Sequence, residues 1–511
     1  MRPTSPTKNL TMRHRLTDEQ ICAATSTAVR TFIEAGPGTG KTTIAAERFG
    51  HVRFREPLTS PRGVVAVSFT VAATSEMRQR IVDRWGPGVI AGRSRVRTID
   101  NELSRILGYL LRSNHIQWPG GLTAIEPLDS CDRHPAWTYS NDPRHFTWQP
   151  ELVEDQIRPV KVKAKHRRIT KAGMVDLLER GVCTHDDVRR ILASAMQNSE
   201  LRTTLKNYRR ATVAHFIVDE VFDADAVDLE LIRLHCEAGV PTTVAGDHWQ
   251  ALYEFRNAVP SDVAGLVGAH AGPHRFHHVP VTKSHRFCNG ELAALASNLR
   301  GGSCTVPVDD GVLPVQVVIG RWWKHLWAGP AWVLPLSFGS RISNKTDALF
   351  ALLLDHIAYE QFGERGRYQA EALMELEATE EDLLKWEPEF ANVCTMLTDA
   401  TDEVAASALN ELRRCRSSTS TGATVPRFRN HEKEKTSSDR MRMIAERLLS
   451  DRNLVRGISA HQAKGQEWKA VGVCIPDDDV AAIASGLNIE NKDHRALYVA
   501  LTRGTHRTVR V

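Results

Sequence analysis

AGPGTGKTT, residues 35–43, decides the fold of this chain. TFIE runs directly before it, rich in the β-branched and aromatic residues that favour extended backbone, and a helical pattern opens after it at Lys41. A strand, a glycine-rich turn and a helix start in succession leave backbone N–H groups at the turn without intrahelical partners, ready to receive an anion. Gly36, Gly38 and Gly40 let the backbone close in where side chains would block it, and Thr39 and Thr43 complete the loop. Lys41 adds a cation that reaches terminal phosphates, and the Thr42 hydroxyl can ligate Mg2+. A glycine turn that only caps a helix is the bland alternative; the preceding strand and the Lys-Thr pair at the helix start speak against it.

Working outward, GVVAVSF (63–69), AHFIVDE (214–220) and TTVAG (242–246) read as further buried strands. Strands separated by helical stretches predict a parallel, doubly wound α/β sheet. The third strand ends in paired carboxylates, where Asp219 suits the water shell of a metal and Glu220 suits a group that polarises attacking water. In-line attack on a γ-phosphate spreads charge over the equatorial oxygens, so hydrolysis needs cations beyond Lys41 and the metal. Arg286 in VTKSHRF and Arg503 in ALTRG are the candidates; the alternative for each is an ordinary structural ion pair.

Both arginines fall in or at the start of a second α/β set: WVLPLSF (332–338), LVRGISA (454–460), AVGVCI (470–475) and the closing ALYVALTRGTHRTVRV (496–511). ALYVAL reads as a buried strand or a tight helix. Two segments break the pattern. Residues 110–210 contain VKVKAKHRRITK (160–171), and residues 415–440 are polar and expected to be flexible. For Lys161, Lys163, Lys165, Arg167 and Arg168 two readings stand: contacts to nucleic-acid phosphates, or the solvated face of an extended segment.

At 511 residues the chain exceeds what one core supports, roughly 250 to 300 residues, so several domains are expected. An apolar share of 42%, with no run near the ~18 apolar residues of a membrane span, predicts a soluble cytoplasmic chain without a membrane partner. The opening residues are polar and basic and lack the apolar core of a secretion signal. No two of the nine cysteines show two-residue spacing, so free thiols are expected rather than a zinc site. A net charge of +5 is compatible with a nucleic-acid partner without requiring one.

In order along the chain, LTDEQ (16–20), AGPGTGKT, SFTVAATSEMRQRI (68–81), FIVDEVFDAD (216–225), GDHWQALYEFRNA (246–258), TKSHRF (282–287), ISAHQAKGQEW (458–468) and ALYVALTRG (496–504) resemble the motifs of superfamily 1A DNA helicases, the UvrD/Rep group. The resemblance implies two RecA-like (P-loop NTPase) parallel-sheet motor domains, one formed by 16–109 and 211–283 and the other by 284–350 and 441–511. It further implies a mostly helical insertion at 110–210 and a reduced second helical insertion with a flexible linker at 351–440, after a disordered arm at 1–15. ATP and Mg2+ are the implied cofactors. Gln20 would meet the adenine edge, Gln250 would sense the γ-phosphate, Arg286 and Arg503 would contact it, and Glu467 would hold the ribose. Phe69, Thr70, Tyr253, Phe255 and His461 would contact DNA or couple it to nucleotide. Phe255 stands where the family places a base-stacking aromatic; a core phenylalanine is its other reading.

The departures cluster on one side. Val71 and Ala72 replace an asparagine and a lysine that hold the DNA backbone, and Ile99 and Asp100 stand in a second strand-contact stretch. Phe222 replaces a glutamine, and His285 replaces a tyrosine that stacks on adenine. The hydrolytic positions are kept while polar DNA-contact positions have drifted. The resemblance implies an ATP-dependent 3′-to-5′ helicase or translocase on single-stranded or partly duplex DNA. Its rival is a DNA- or nucleotide-sensing ATPase subunit that regulates a partner, such as a separate nuclease in antiphage defence of the Gabija type.

Overall fold

The computed structural model describes residues 15–57, 59–125, 127–128, 138–139, 146–163, 167–268, 275–311, 314–342, 344–366, 368–414 and 431–511. The arm at 1–14, Lys165, the Arg167 side chain and the linker stretch 415–430 lie outside the described residues. The chain divides into two compact units, Met1–His285 and Arg286–Val511.

The first unit contains β1 (Arg30–Ala35), β2 (Gly63–Ser68), β3 (Arg95–Thr98), β4 (Thr138–Tyr139), β5 (Phe146–Val153), β6 (Gln156–Lys163), β7 (Arg167–Arg168), β8 (Val213–Val218), β9 (Thr242–Gly246) and β10 (His277–Val281). Six of them form one parallel sheet in the order β10-β1-β9-β8-β2-β3. Every residue of β2, β8 and β9 is buried. A strand covered on both faces has no polar side, which is why these segments read as continuous apolar runs. Because β1, β9 and β8 are adjacent and parallel, the loops that follow them open at the same sheet edge, where ligands of such sheets bind.

The insertion combines three helices with a β-hairpin. Helices Lys171–Glu179, His185–Gln197 and Ser199–Thr212 begin at capping residues Thr170, Thr184 and Asn198. Beside them β5 and β6 form an antiparallel hairpin running from the Phe146–Lys163 pair to the Val153–Gln156 pair. Lys161 and Lys163 are therefore same-face, exposed residues of a strand, with the Lys161 ammonium 4.3 Å from the Phe146 ring centre. Leu177, Ile191, Leu192 and Leu205 share one core with Val65, Phe216 and Val244 of the sheet. Arg189 links the insertion to the sheet's helices through Asp100 (2.7 Å), Asp225 (2.7 Å) and Asp228 (2.9 Å).

In the second unit β11 (Val317–Gly320), β12 (Val333–Pro335), β13 (Val455–Ser459), β14 (Trp468–Cys474) and β15 (Gly504–Arg510) form a parallel sheet in the order β12-β13-β11-β14-β15. ALYVAL is helical: helix Lys492–Leu501 is buried at every position from Arg495 to Leu501, and β15 follows it. Between β12 and β13 the helices Lys345–Phe362, Gln369–Leu376, Glu380–Met396, Asp402–Arg414 and His431–Leu448 enclose a core of their own around Leu353, Trp386, Phe390, Leu409 and Ile444. The domain limits expected near residues 110, 210, 350 and 440 fall inside helices Ile99–Arg112, Ser199–Thr212, Lys345–Phe362 and His431–Leu448. Among the described residues no helix is long and apolar enough to cross a membrane.

Candidate functional site

The phosphate loop joins β1 to helix Lys41–Arg55. Gly38 (φ 71°) and Gly40 (φ 86°) adopt left-handed backbone that favours glycine, and Gly40 starts the helix with no side-chain cap. The Thr39 hydroxyl donates to the Gly36 carbonyl at 2.9 Å, closing the turn on itself. Three neighbours grip the loop from outside. Gln20 Nε2 donates to the Thr39 carbonyl at 2.9 Å, the Ser284 hydroxyl to the Pro37 carbonyl at 2.8 Å, and the His285 backbone N–H to the Gly38 carbonyl at 2.8 Å. A Cβ on Gly40 would lie 2.9 Å from Gln20 Nε2, so the fit depends on glycine there. Gln20 Oε1 accepts from the Thr17 N–H at 3.0 Å, so both ends of the amide expected at adenine are engaged by protein.

Lys41 is buried, and its ammonium lies 3.8 Å from the Glu220 carboxylate. Asp219, also buried, accepts from the Thr42 side chain and from the Glu220 N–H, the latter at 3.0 Å. Burial, and then the charge of Glu220, push the Asp219 carboxyl up to about 7 against the pull of Lys41. Glu220 has φ 57°, left-handed backbone that costs a non-glycine residue about 1 kcal/mol or more and persists only where the surroundings hold it. A buried carboxyl bonded to a hydroxyl at a phosphate loop is a hard-oxygen set. It suits Mg2+, which takes one or two protein oxygens and completes its shell with water and substrate phosphates.

The loop after β9, the strand between β1 and β8, carries Gln250. Gln250 is buried, and its Nε2 donates to Asp247 Oδ2 at 2.8 Å. The chain then turns through Tyr253–Arg256, where Phe255 is 66% exposed and Tyr253 half-buried, their rings 5.7 Å apart. Phe255 is a surface aromatic and not a core one. Sequence reasoning missed Arg256, whose guanidinium lies 5.7 Å and 5.8 Å from those two ring centres. It also missed Arg80, whose guanidinium donates to the Thr43 hydroxyl at 2.6 Å; spaced four residues from Glu76, it reads as a plain helix-surface pair. Phe69 is partly buried against the core and Thr70 caps helix Val71–Trp85 by accepting from the Ala73 N–H, while Val71 is 74% exposed.

In the second unit Arg286, Glu467, Thr502 and Arg503 come together. Arg286 Nε lies 3.0 Å from Glu467 Oε2, and its Nη1 donates to the Thr502 carbonyl at 3.0 Å. Arg503 is buried and its Nε donates to the Val499 carbonyl at 3.0 Å. His461 packs its ring 5.5 Å from that of Trp322.

The model of the UvrD/REP helicase N-terminal domain matches residues 16–117 and 161–266, which hold the phosphate loop, the acidic pair and Gln250. The interruption spans β5 and most of β6. The chain is similar to DNA helicase II of Escherichia coli strain K12, 22% identical over 356 residues, covering 66% of this chain and 45% of the relative. It is similar to a probable DNA helicase II homolog of Mycoplasma pneumoniae, 22% identical over 324 residues, 56% of this chain and 42% of the relative. A probable DNA helicase of the same organism is 44% identical over 71 residues, 14% of this chain and 13% of the relative. The chain thus spans less than half the length of the curated relatives it matches. Residues 16–117 and 161–266 thus match the UvrD/REP helicase N-terminal domain, and the chain is similar to DNA helicase II relatives over about half its length or more.

Proposed function

We propose that the protein is an ATP-hydrolysing DNA helicase or translocase that moves 3′ to 5′ on single-stranded DNA. The observation that carries this reading is one continuous loop after β9: the buried Gln250 leads within five residues to an exposed aromatic at Phe255. A nucleotide sensor and a base-stacking surface on one short segment are what coupling of ATP to a strand requires.

In the proposed turnover the phosphate loop N–H groups and Lys41 hold the β- and γ-phosphates. Asp219 and Thr42 would hold Mg2+, which would supply positive charge to offset that of the phosphates. Nucleotide phosphates draw Lys41 away from Glu220, leaving that carboxylate to orient the attacking water. Gln250 exchanges its bond with Asp247 for one to the γ-phosphate. Arg286 and Arg503 contribute the further positive charge, and Glu467 trades Arg286 for the ribose. On the DNA side Phe255, Tyr253 and Arg256 form a stacking platform that takes any base, with Phe69, Thr70 and His461 as further strand contacts.

Steady-state ATP hydrolysis by the full chain with and without oligo-dT, beside displacement of strands from duplexes carrying 3′ or 5′ tails, tests the proposal. Turnover stimulated by DNA and displacement only from the 3′ tail are expected. Stimulated turnover without displacement from either tail would favour the second reading, an ATPase that senses DNA or nucleotide and regulates a partner such as a nuclease. What favours that reading is Val71, an exposed apolar residue at the start of helix Val71–Trp85 where a strand-holding amide is expected.

A further inference from the structure

Phe222, the residue that replaces an expected glutamine, is not idle. Its ring is 5% exposed and lies flat against His248, with ring centres 4.9 Å apart and planes 3° from parallel. It meets Phe32 of β1 edge-on at 6.1 Å and 66°. Gly246 makes room for it: a Cβ there would come within 2.8 Å of Phe222 Cδ2 and 3.0 Å of Val221 Cγ1. The slot is therefore bounded by residues of β1 and of the end of β9, with Phe222 entering from the turn after β8.

The two stacked residues sit at informative places. Phe222 lies two residues after Glu220, inside the turn Val221–Asp223 that follows its left-handed backbone. His248 opens the turn His248–Gln250. It directly follows Asp247, whose carboxylate accepts from the Trp249 N–H at 3.2 Å and from Gln250 Nε2 at 2.8 Å. Each ring belongs to a turn that also carries or adjoins a group assigned above to hydrolysis, Glu220 for one and Gln250 for the other. A ring filling a closed slot transmits displacement by steric contact, because packed interiors do not yield to small shifts.

We propose that Phe222 and His248 are positioning residues whose stacked rings lock the Glu220 turn to the Gln250 turn, so that a shift begun at the Tyr253–Arg256 platform re-aims the water-orienting carboxylate. This inference rests on the ATPase reading above and deepens it by assigning the coupling path.

The test is steady-state ATP hydrolysis by the full chain, with and without oligo-dT, for wild type, Phe222→Leu, His248→Leu, His248→Phe and the Phe222→Leu/His248→Leu pair. DNA-stimulated kcat is expected to fall about tenfold in either leucine variant, with KM for ATP moving less than about twofold. His248→Phe, which keeps the flat face, should restore stimulation to within about twofold of wild type. The double variant should be no worse than the poorer single one, since both break the same contact. A role in folding alone would instead lower the melting temperature and leave the stimulation ratio of the folded fraction intact. Should Phe222→Leu fail to fold, the half-buried His248 pair of variants carries the test by itself. Undiminished stimulation in His248→Leu, or a loss that His248→Phe shares equally, overturns the inference while wild-type turnover leaves the ATPase reading standing. A wild type that hydrolyses no ATP under either condition overturns both.

Discussion

β1 and β11 are both inner strands of parallel sheets, and each is followed at once by a helix. What lies between strand and helix is opposite in character. After β1 comes a loop with two left-handed glycines, and its Thr39, Pro37 and Gly38 carbonyls accept from Gln20, Ser284 and His285. After β11, Gly320 is packed so closely on its own helix that a Cβ would lie 2.7 Å from Leu326 Cγ. Arg321 is tied to Asp479 at 2.9 Å and Asp493 at 3.6 Å, and Trp323 is buried. A parallel sheet supplies an edge where strand ends converge; whether that edge can take a phosphate is decided by the few residues after the strand. The second unit ties its cation at this position to carboxylates of its own.

The largest effect that would sharpen this contrast is loss of the cation at the open loop. Lys41→Ala should lower kcat for ATP hydrolysis by more than about a thousandfold, since a preorganised charge at the transferring phosphoryl group is lost. Measured turnover near wild type in folded protein would break the assignment of the β1 loop. Arg286→Ala comes next, with an expected loss of about a hundred- to a thousandfold. Freed of its partner, Glu467 is 56% exposed and remains solvated, so the melting temperature should barely move. Arg503→Ala should act in the same direction but also destabilise, because Arg503 is buried against its own helix.

A third effect separates a presented aromatic from a buried one. Phe255 is 66% exposed and Trp323 is 6% exposed. Phe255→Ala should weaken binding of single-stranded oligonucleotides by about 1–3 kcal/mol, with little dependence on sequence, as fluorescence anisotropy would read it. Equal affinity for the variant would mean that the platform faces no strand.

How much of this was legible depends on how local each signal is. The β1 loop is written in nine consecutive residues, because glycine spacing and a Lys-Thr helix start state their own geometry. The buried strands announce themselves as apolar runs for the same reason. ALYVAL could not be settled, since a segment buried on all sides shows neither helical nor strand periodicity. The hairpin of β5 and β6 is half visible: alternating lysines fit an extended segment under either of their two readings, but nothing local names the partner strand. The Phe222–His248 stack was invisible. Its members meet only because β8 and β9 are neighbours, and a lost glutamine reads as a lost contact until the ring that replaces it is placed.

The smallest effect tests the closed loop itself. Arg321→Met removes the cation after β11 and should leave ATP turnover within about twofold of wild type, because that guanidinium serves two carboxylates of its own unit. Its cost should appear in stability, about 1–3 kcal/mol, since Asp479 is buried and would lose its charged partner. That cost should depend on pH in a fixed direction. Burial raises the Asp479 carboxyl above its ordinary value, although Arg321 pulls it down. Between the unfolded value, about 3.9, and the raised folded value, the native state holds the additional proton, and the advantage is lost as pH rises through the folded value. Without Arg321 the folded value climbs further, so the variant's deficit in melting temperature should be larger at pH 8 than at pH 5. A deficit that is flat across that range would mean Arg321 contributes packing and not charge, and a fall in turnover as large as that of Arg286→Ala would erase the contrast between the two loops.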